Sequence, residues 1–138
     1  MSTILYVDDE QAVRTVVRRL LERRGVTVHI AGGVAEAREA LLATPVDGVV
    51  IDLWLGDGTA FDLHSWILEH RPGLERRIAF VTGDIVETLE GDRSLSALGC
   101  PVFGKPIDYE ALLAVVRGWG ERGVGSGEWG VGERPRDA

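Results

Sequence analysis

Short apolar runs alternate along the chain with stretches whose apolar positions recur at helical spacing. The first run, Thr3-Ile4-Leu5-Tyr6-Val7, is rich in strand formers and stops at Asp8-Asp9-Glu10. Val13, Val16, Val17, Leu20 and Leu21 then predict a helix, and Gly25 stops it. Residues 26–30 (VTVHI) predict a second strand. Val34, Ala37, Leu41 and Leu42 predict a second helix that ends before Pro45. Residues 48–53 (GVVIDL) are apolar on both sides, as in a strand covered on both faces.

A loop, WLGDGT at 54–59, follows. Leu63, Trp66, Ile67 and His70 then mark a third helix before Pro72. Residues 77–82 (RIAFVT) predict a fourth strand, residues 89–99 a weak fourth helix, and residues 100–104 (CPVFG) a short fifth strand. Asp108 is an N-cap for a fifth helix carrying Leu112, Leu113, Val115, Val116 and Trp119. Five strand–helix units without polar alternation in the strands imply an α/β fold. Its sheet is parallel, covered on both faces and joined by right-handed crossovers.

From Arg117 the composition changes to RGWGERGVGSGEWGVGERPRDA, which holds seven glycines. The reading is one folded domain over 1–118 and a glycine-rich, flexible tail over 119–138, in which Trp119 and Trp129 keep a docking role open.

Composition narrows the function. The 138 residues are 45% hydrophobic and 27% charged, and the formal net charge is −7. That sign argues against nucleic-acid phosphates or an anionic membrane surface as the main partner. Cys100 stands alone, so no internal disulfide forms, which fits a reducing cytoplasm. It reads as a small buried hydrophobe at a strand start. Acids by residue 8 and the absence of a basic n-region argue against a signal peptide, and no apolar run reaches membrane-spanning length. His29, His64 and His70 share no strand end and read as surface or boundary residues.

Chemistry enters at the carboxyl ends of the strands. Asp8 and Asp9 follow the first strand, Asp52 ends the third, Thr82 the fourth, and Lys105, the only lysine of the chain, follows the fifth. A parallel sheet brings all these ends to one edge, where open α/β sheets bind ligands. Three carboxylates there repel one another unless a cation joins them, and loosely spaced oxygen ligands suit Mg²⁺. With a lysine ammonium and a hydroxyl added, the site can hold a phosphoryl group. A carboxylate can itself be the nucleophile, giving an acyl phosphate, and Asp52, single and preceded by Val49-Val50-Ile51, is the best candidate. The Val7-Asp8-Asp9-Glu10-Gln11 turn lacks the glycines of a nucleotide-binding Rossmann loop.

The segments ILYVDDE, VVIDLWLGDG, AFVTGD and VFGKPID, in this order, resemble the receiver domain of two-component response regulators over residues 3 to about 118. The resemblance implies a flavodoxin-like (βα)5 sandwich with a five-stranded parallel sheet of order 2-1-3-4-5. It implies a phosphoacceptor at Asp52, and Mg²⁺ held by Asp9 directly, Asp8 through water, Asp52 and the backbone carbonyl of Trp54. Thr82, Lys105 and the Gly83 N–H would contact the phosphoryl oxygens. It further implies a cis Lys105–Pro106 peptide, a histidine kinase or histidine phosphotransfer protein as phosphodonor, and a homodimer surface on helix four, strand five and helix five. No turnover of small substrates is expected.

Three positions depart from the usual pattern of the family. Gly56 stands where proline is frequent, and Gly83 where alanine is usual. Val102 occupies the place of an aromatic that reports phosphorylation, while Phe103 falls on the other face of its strand, so the usual threonine–aromatic switch is in doubt. Two other readings stay open. A haloacid dehalogenase-type phosphatase also uses aspartates, threonine, lysine and Mg²⁺, but it needs an Asp-x-Asp motif at the first strand, where this chain has adjacent aspartates. A pseudo-receiver would keep the fold as a binding module without phosphorylation.

Overall fold

The computed structural model describes residues 2–83 and 98–124. The main sheet is built from β1 (Thr3–Val7), β2 (Thr27–Ala31), β3 (Gly48–Asp52), β4 (Ile78–Thr82) and β5 (Val102–Gly104). All four pairings are parallel and the order is β2-β1-β3-β4-β5. This is the flavodoxin-like arrangement expected. The helices are α1 (Gln11–Glu22), α2 (Val34–Ala43), α3 (Ala60–His70) and, at the C-terminal side, α4 (Tyr109–Val124). The expected helix at 89–99, and with it part of the expected homodimer surface, lies almost entirely outside the described residues.

Strand alternation sorts the core into two layers. Leu5, Val7, Val49, Ile51, Ile78 and Phe80 meet Val34, Ala37 and Leu41 of α2 and Leu63 and Ile67 of α3. Ile4, Tyr6, Val28, Val50, Ala79 and Val81 meet Val17 and Leu21 of α1 and Leu112, Leu113, Val116 and Trp119 of α4. The sheet is therefore covered on both sides, which is why its strands read as continuous apolar runs. Val102 belongs to the first layer and Phe103 to the second, the opposite faces expected of neighbours on a strand.

Four expectations change. Helix α4 passes residue 118 and runs to Val124, and Trp119 is buried, so this tryptophan belongs to the core and not to a tail. Its ring fills the space beside Gly48, where an added Cβ would sit 2.2 Å from it. His64 is also buried, against Phe80, instead of lying at the surface, whereas His29 and His70 are exposed. Cys100 is only partly buried and precedes β5. Residues 54–59, expected as a loop, form a small antiparallel hairpin in which Trp54 pairs with Thr59 and Leu55 with Gly58.

That hairpin ties the loop after β3 to two helices. The Asp57 carboxylate accepts from the backbone N–H groups of Val34 and Ala35 at 2.7 and 3.0 Å, capping α2 from a distant part of the chain. Thr59 and Asp62 form a capping box that starts α3.

Candidate functional site

Asp8, Asp9, Asp52 and Lys105 converge at the carboxyl edge of the sheet. The apolar strands β1 and β3 are neighbours in register, with Val7 opposite Ile51, so the residues that follow emerge side by side. One carboxylate oxygen from each of Asp8, Asp9 and Asp52 can be chosen so that all lie within 4.8 Å of one another. Lys105 Nζ reaches Asp8 Oδ2 at 3.3 Å, Asp52 Oδ1 at 3.4 Å and Glu10 Oε1 at 4.0 Å. Its backbone N–H donates to the carbonyl of Thr82 at 3.0 Å, which fixes the residue just beyond β5 against the end of β4. The Lys105–Pro106 peptide is cis, as expected.

Thr82 is buried at the end of β4, one residue beyond Val81, the register partner of Asp52. Gly83 follows it in an exposed bend, with open space where a Cβ would stand. Trp54, two residues past Asp52, directs a largely exposed indole away from the core, 58% accessible. All seven residues singled out in the sequence thus lie at or next to one edge of the sheet.

The charges do not balance. One ammonium faces three carboxylates. Burial, reinforced by the neighbouring Asp8 carboxylate, pushes the Asp52 carboxyl up to about 6, against the opposing pull of Lys105. For Lys105 itself burial favours the neutral amine, but Asp52 and Asp8 outweigh it and raise the pKa above the ordinary lysine value. The cluster keeps excess negative charge at neutral pH. Hard oxygen donors with that surplus fit a divalent cation such as Mg²⁺.

Two contributors escaped the sequence reading. Tyr6, fully buried, donates its hydroxyl to Asp8 Oδ2 at 2.8 Å. Burial and then the Asp8 charge raise its pKa, so the phenol keeps its proton. Arg14, from α1, donates to the backbone carbonyl of Asp8 at 2.6 Å. Strand periodicity marks Tyr6 only as a core residue, and the helical pattern places Arg14 beside the apolar stripe; neither carries a signal that points to Asp8.

Comparison with known proteins agrees with this geometry. The profile of the response regulator receiver domain matches residues 4–117. The acid tolerance regulatory protein ActR of Sinorhizobium medicae is 33% identical over 114 residues, covering 83% of this chain and 57% of that protein. The response regulator protein PilR of Pseudomonas aeruginosa is 32% identical over 117 residues, covering 81% of this chain and 24% of that protein. Against curated relatives of these kinds the chain spans between 23% and 57% of their length. A crystal structure of a response regulator receiver protein from Pseudomonas putida superposes with a TM-score of 0.72 at 28% identity, covering 84% of this chain and 95% of that one. With its strand order, its acidic edge fit for a phosphoacceptor and this match over most of its length, the chain belongs to the response regulator receiver domain family of two-component signalling.

Proposed function

We propose that Asp52 is the phosphoacceptor of this receiver, and that a histidine kinase or histidine phosphotransfer protein supplies the phosphoryl group. The single observation that carries the assignment is the meeting of Asp52 with Lys105 at 3.4 Å inside an acidic cluster. Asp9 and Asp52, with the Trp54 carbonyl, would hold Mg²⁺, and Asp8 would act through water. In support, Asp8 is completely buried and both its oxygens already accept from protein donors, whereas Asp9 is exposed. When bound, the metal would neutralise charge on the transferring phosphoryl group.

The carboxylate of Asp52 attacks phosphorus, an acyl phosphate forms, and the donor imidazole leaves and takes up a proton. Lys105 would follow the charge from the carboxylate to a phosphoryl oxygen, and Thr82 and the Gly83 N–H would donate to the others. The phosphatase reading is disfavoured by the adjacent Asp8-Asp9 pair after β1, which lacks the Asp-x-Asp spacing that reading requires. The pseudo-receiver reading is disfavoured by the complete set of acidic and basic groups. The chain acts as a signalling domain without turnover of its own, in the cytoplasm, and does not bind nucleic acid directly. A homodimer would use the face formed by the segment before β5, β5 itself and α4. Its coupling to phosphorylation would be weak, since Val102 offers no aromatic ring.

Beryllofluoride, a mimic of an aspartyl phosphate, tests the site. With Mg²⁺ it is expected to shift the backbone amide signals of Gly83 and Lys105. Unmoved signals, or an equal response from Asp52→Asn, would refute the proposal.

A further inference from the structure

We propose that Tyr6 is a positioning residue for the metal-binding carboxylates, fixing Asp8 through its phenol and so setting how tightly the site takes a divalent cation. The inference rests on the Mg²⁺ site proposed above.

Tyr6 lies within the apolar layer between the sheet and helices α1 and α4, with no exposed surface. Strand alternation turns it to the same side as Asp8, which stands two residues on and just past the end of β1. A buried phenol needs a hydrogen-bond partner. This one finds it in a carboxylate that is itself cut off from solvent.

The donors around Asp8 are divided. Oδ1 takes the Glu10 N–H at 3.0 Å, and Oδ2 takes the Tyr6 hydroxyl at 2.8 Å and Lys105 Nζ at 3.3 Å. A carboxylate offers about four acceptor positions, so these three donors fix its plane and leave little freedom. The phenol comes from the core side, as a rigid strut anchored in β1, whereas Lys105 is shared with Asp52. Without the hydroxyl, Oδ2 would depend on Lys105 alone. The ammonium would be drawn toward Asp8 and away from Asp52, and the carboxylates would lose their common arrangement. Hydrogen-bonding partners that orient the groups around a metal, whether these hold the ion or its bound water, set metal affinity by factors of about 10 to 100.

Tyr6→Phe keeps the ring in the core and removes only the hydroxyl. Binding of Mg²⁺ to the full chain, measured by titration calorimetry, is expected to weaken roughly tenfold or more in this variant. Leu21→Ala serves as the comparison, because Leu21 packs in the same apolar layer but near the end of α1, whereas Asp8 lies just before its start. It is expected to lower thermal stability and leave Mg²⁺ affinity at wild-type level below its transition. If Tyr6→Phe binds Mg²⁺ as well as or better than wild type, the inference falls and the metal site stands. Equal weakening in Leu21→Ala would make the effect a general loosening of the core and would also overturn it. A wild-type chain that takes up no Mg²⁺ would overturn the metal site and this inference together.

Discussion

The Lys105 ammonium stands 3.4 Å from Oδ1 of Asp52 and, through the same nitrogen, 3.3 Å from Oδ2 of Asp8. One compact cation therefore bridges the proposed acceptor and its buried neighbour. The chain uses arginine everywhere else it needs a cation. A guanidinium is planar and forked and would grip one carboxylate with two bonds instead of sharing a single point of charge. Lys105→Arg is expected to accept phosphate at a reduced rate and to show a blunted change in the Gly104 and Lys105 amide signals on adding Mg²⁺ and beryllofluoride. A full wild-type response would mean that positive charge alone suffices.

The raised carboxyl of Asp52 gives a stability prediction with a definite sign. A carboxyl whose folded pKa, here about 6, exceeds the ordinary value near 4 stabilises the fold fully at acid pH, and that stabilisation is lost as pH rises through 6. At pH 7 without metal, the ionised Asp52 thus weighs against the fold. Asp52→Asn removes the penalty and is expected to be more stable than wild type by on the order of 2 kcal/mol at pH 7 in a chelator. The gain should shrink toward pH 4. Urea unfolding at the two pH values measures this, and a destabilised Asn variant at pH 7 would contradict it.

The Asp57 cap predicts a coupling between residues far apart in sequence. Asp57→Ala should cost about 1 kcal/mol at neutral pH, because two N–H groups at the start of α2 lose their acceptor. Those two backbone amides, Ala35 first and then Val34, hold the Asp57 pKa below the ordinary carboxylate value. The cap therefore stabilises above about pH 4 and is lost as pH falls through the lowered value. Gly33→Ala should reproduce part of the loss. Gly33 is fully extended, so its backbone accepts any residue, but a Cβ there would sit 2.6 Å from Asp57 Oδ1. In the Asp57→Ala background Gly33→Ala should then be nearly neutral, which a double-mutant cycle by chemical denaturation reads directly.

Local periodicity made the five strands and the four described helices legible, since each covers the sheet with a repeating apolar face. The convergence of Asp8, Asp52 and Lys105 was legible as well, because a parallel sheet brings strand ends together whatever their separation along the chain. Side-chain bonds between distant segments left no such trace. Asp57 looks like an ordinary turn acid until the fold carries it to α2, and Tyr6 looks like any strand aromatic until its hydroxyl meets Asp8. Trp119 read both as the last apolar position of the fifth helix and as a tail side chain, and only the helical reading holds. The glycines around it suggested a tail, but Gly48 leaves room for its ring against the start of β3, and the packing carries the helix onward to Val124.

Mass spectrometry of the chain after incubation with acetyl phosphate shows whether Asp52 takes the phosphoryl group. Wild type is expected to gain one phosphoryl group, mapped to Asp52, released by hydroxylamine as an acyl phosphate must be, and absent when a chelator removes Mg²⁺. Asp52→Asn should remain unlabelled under the same conditions. Labelling of Asp52→Asn equal to wild type, or labelling of wild type that a chelator leaves undiminished, would contradict the account.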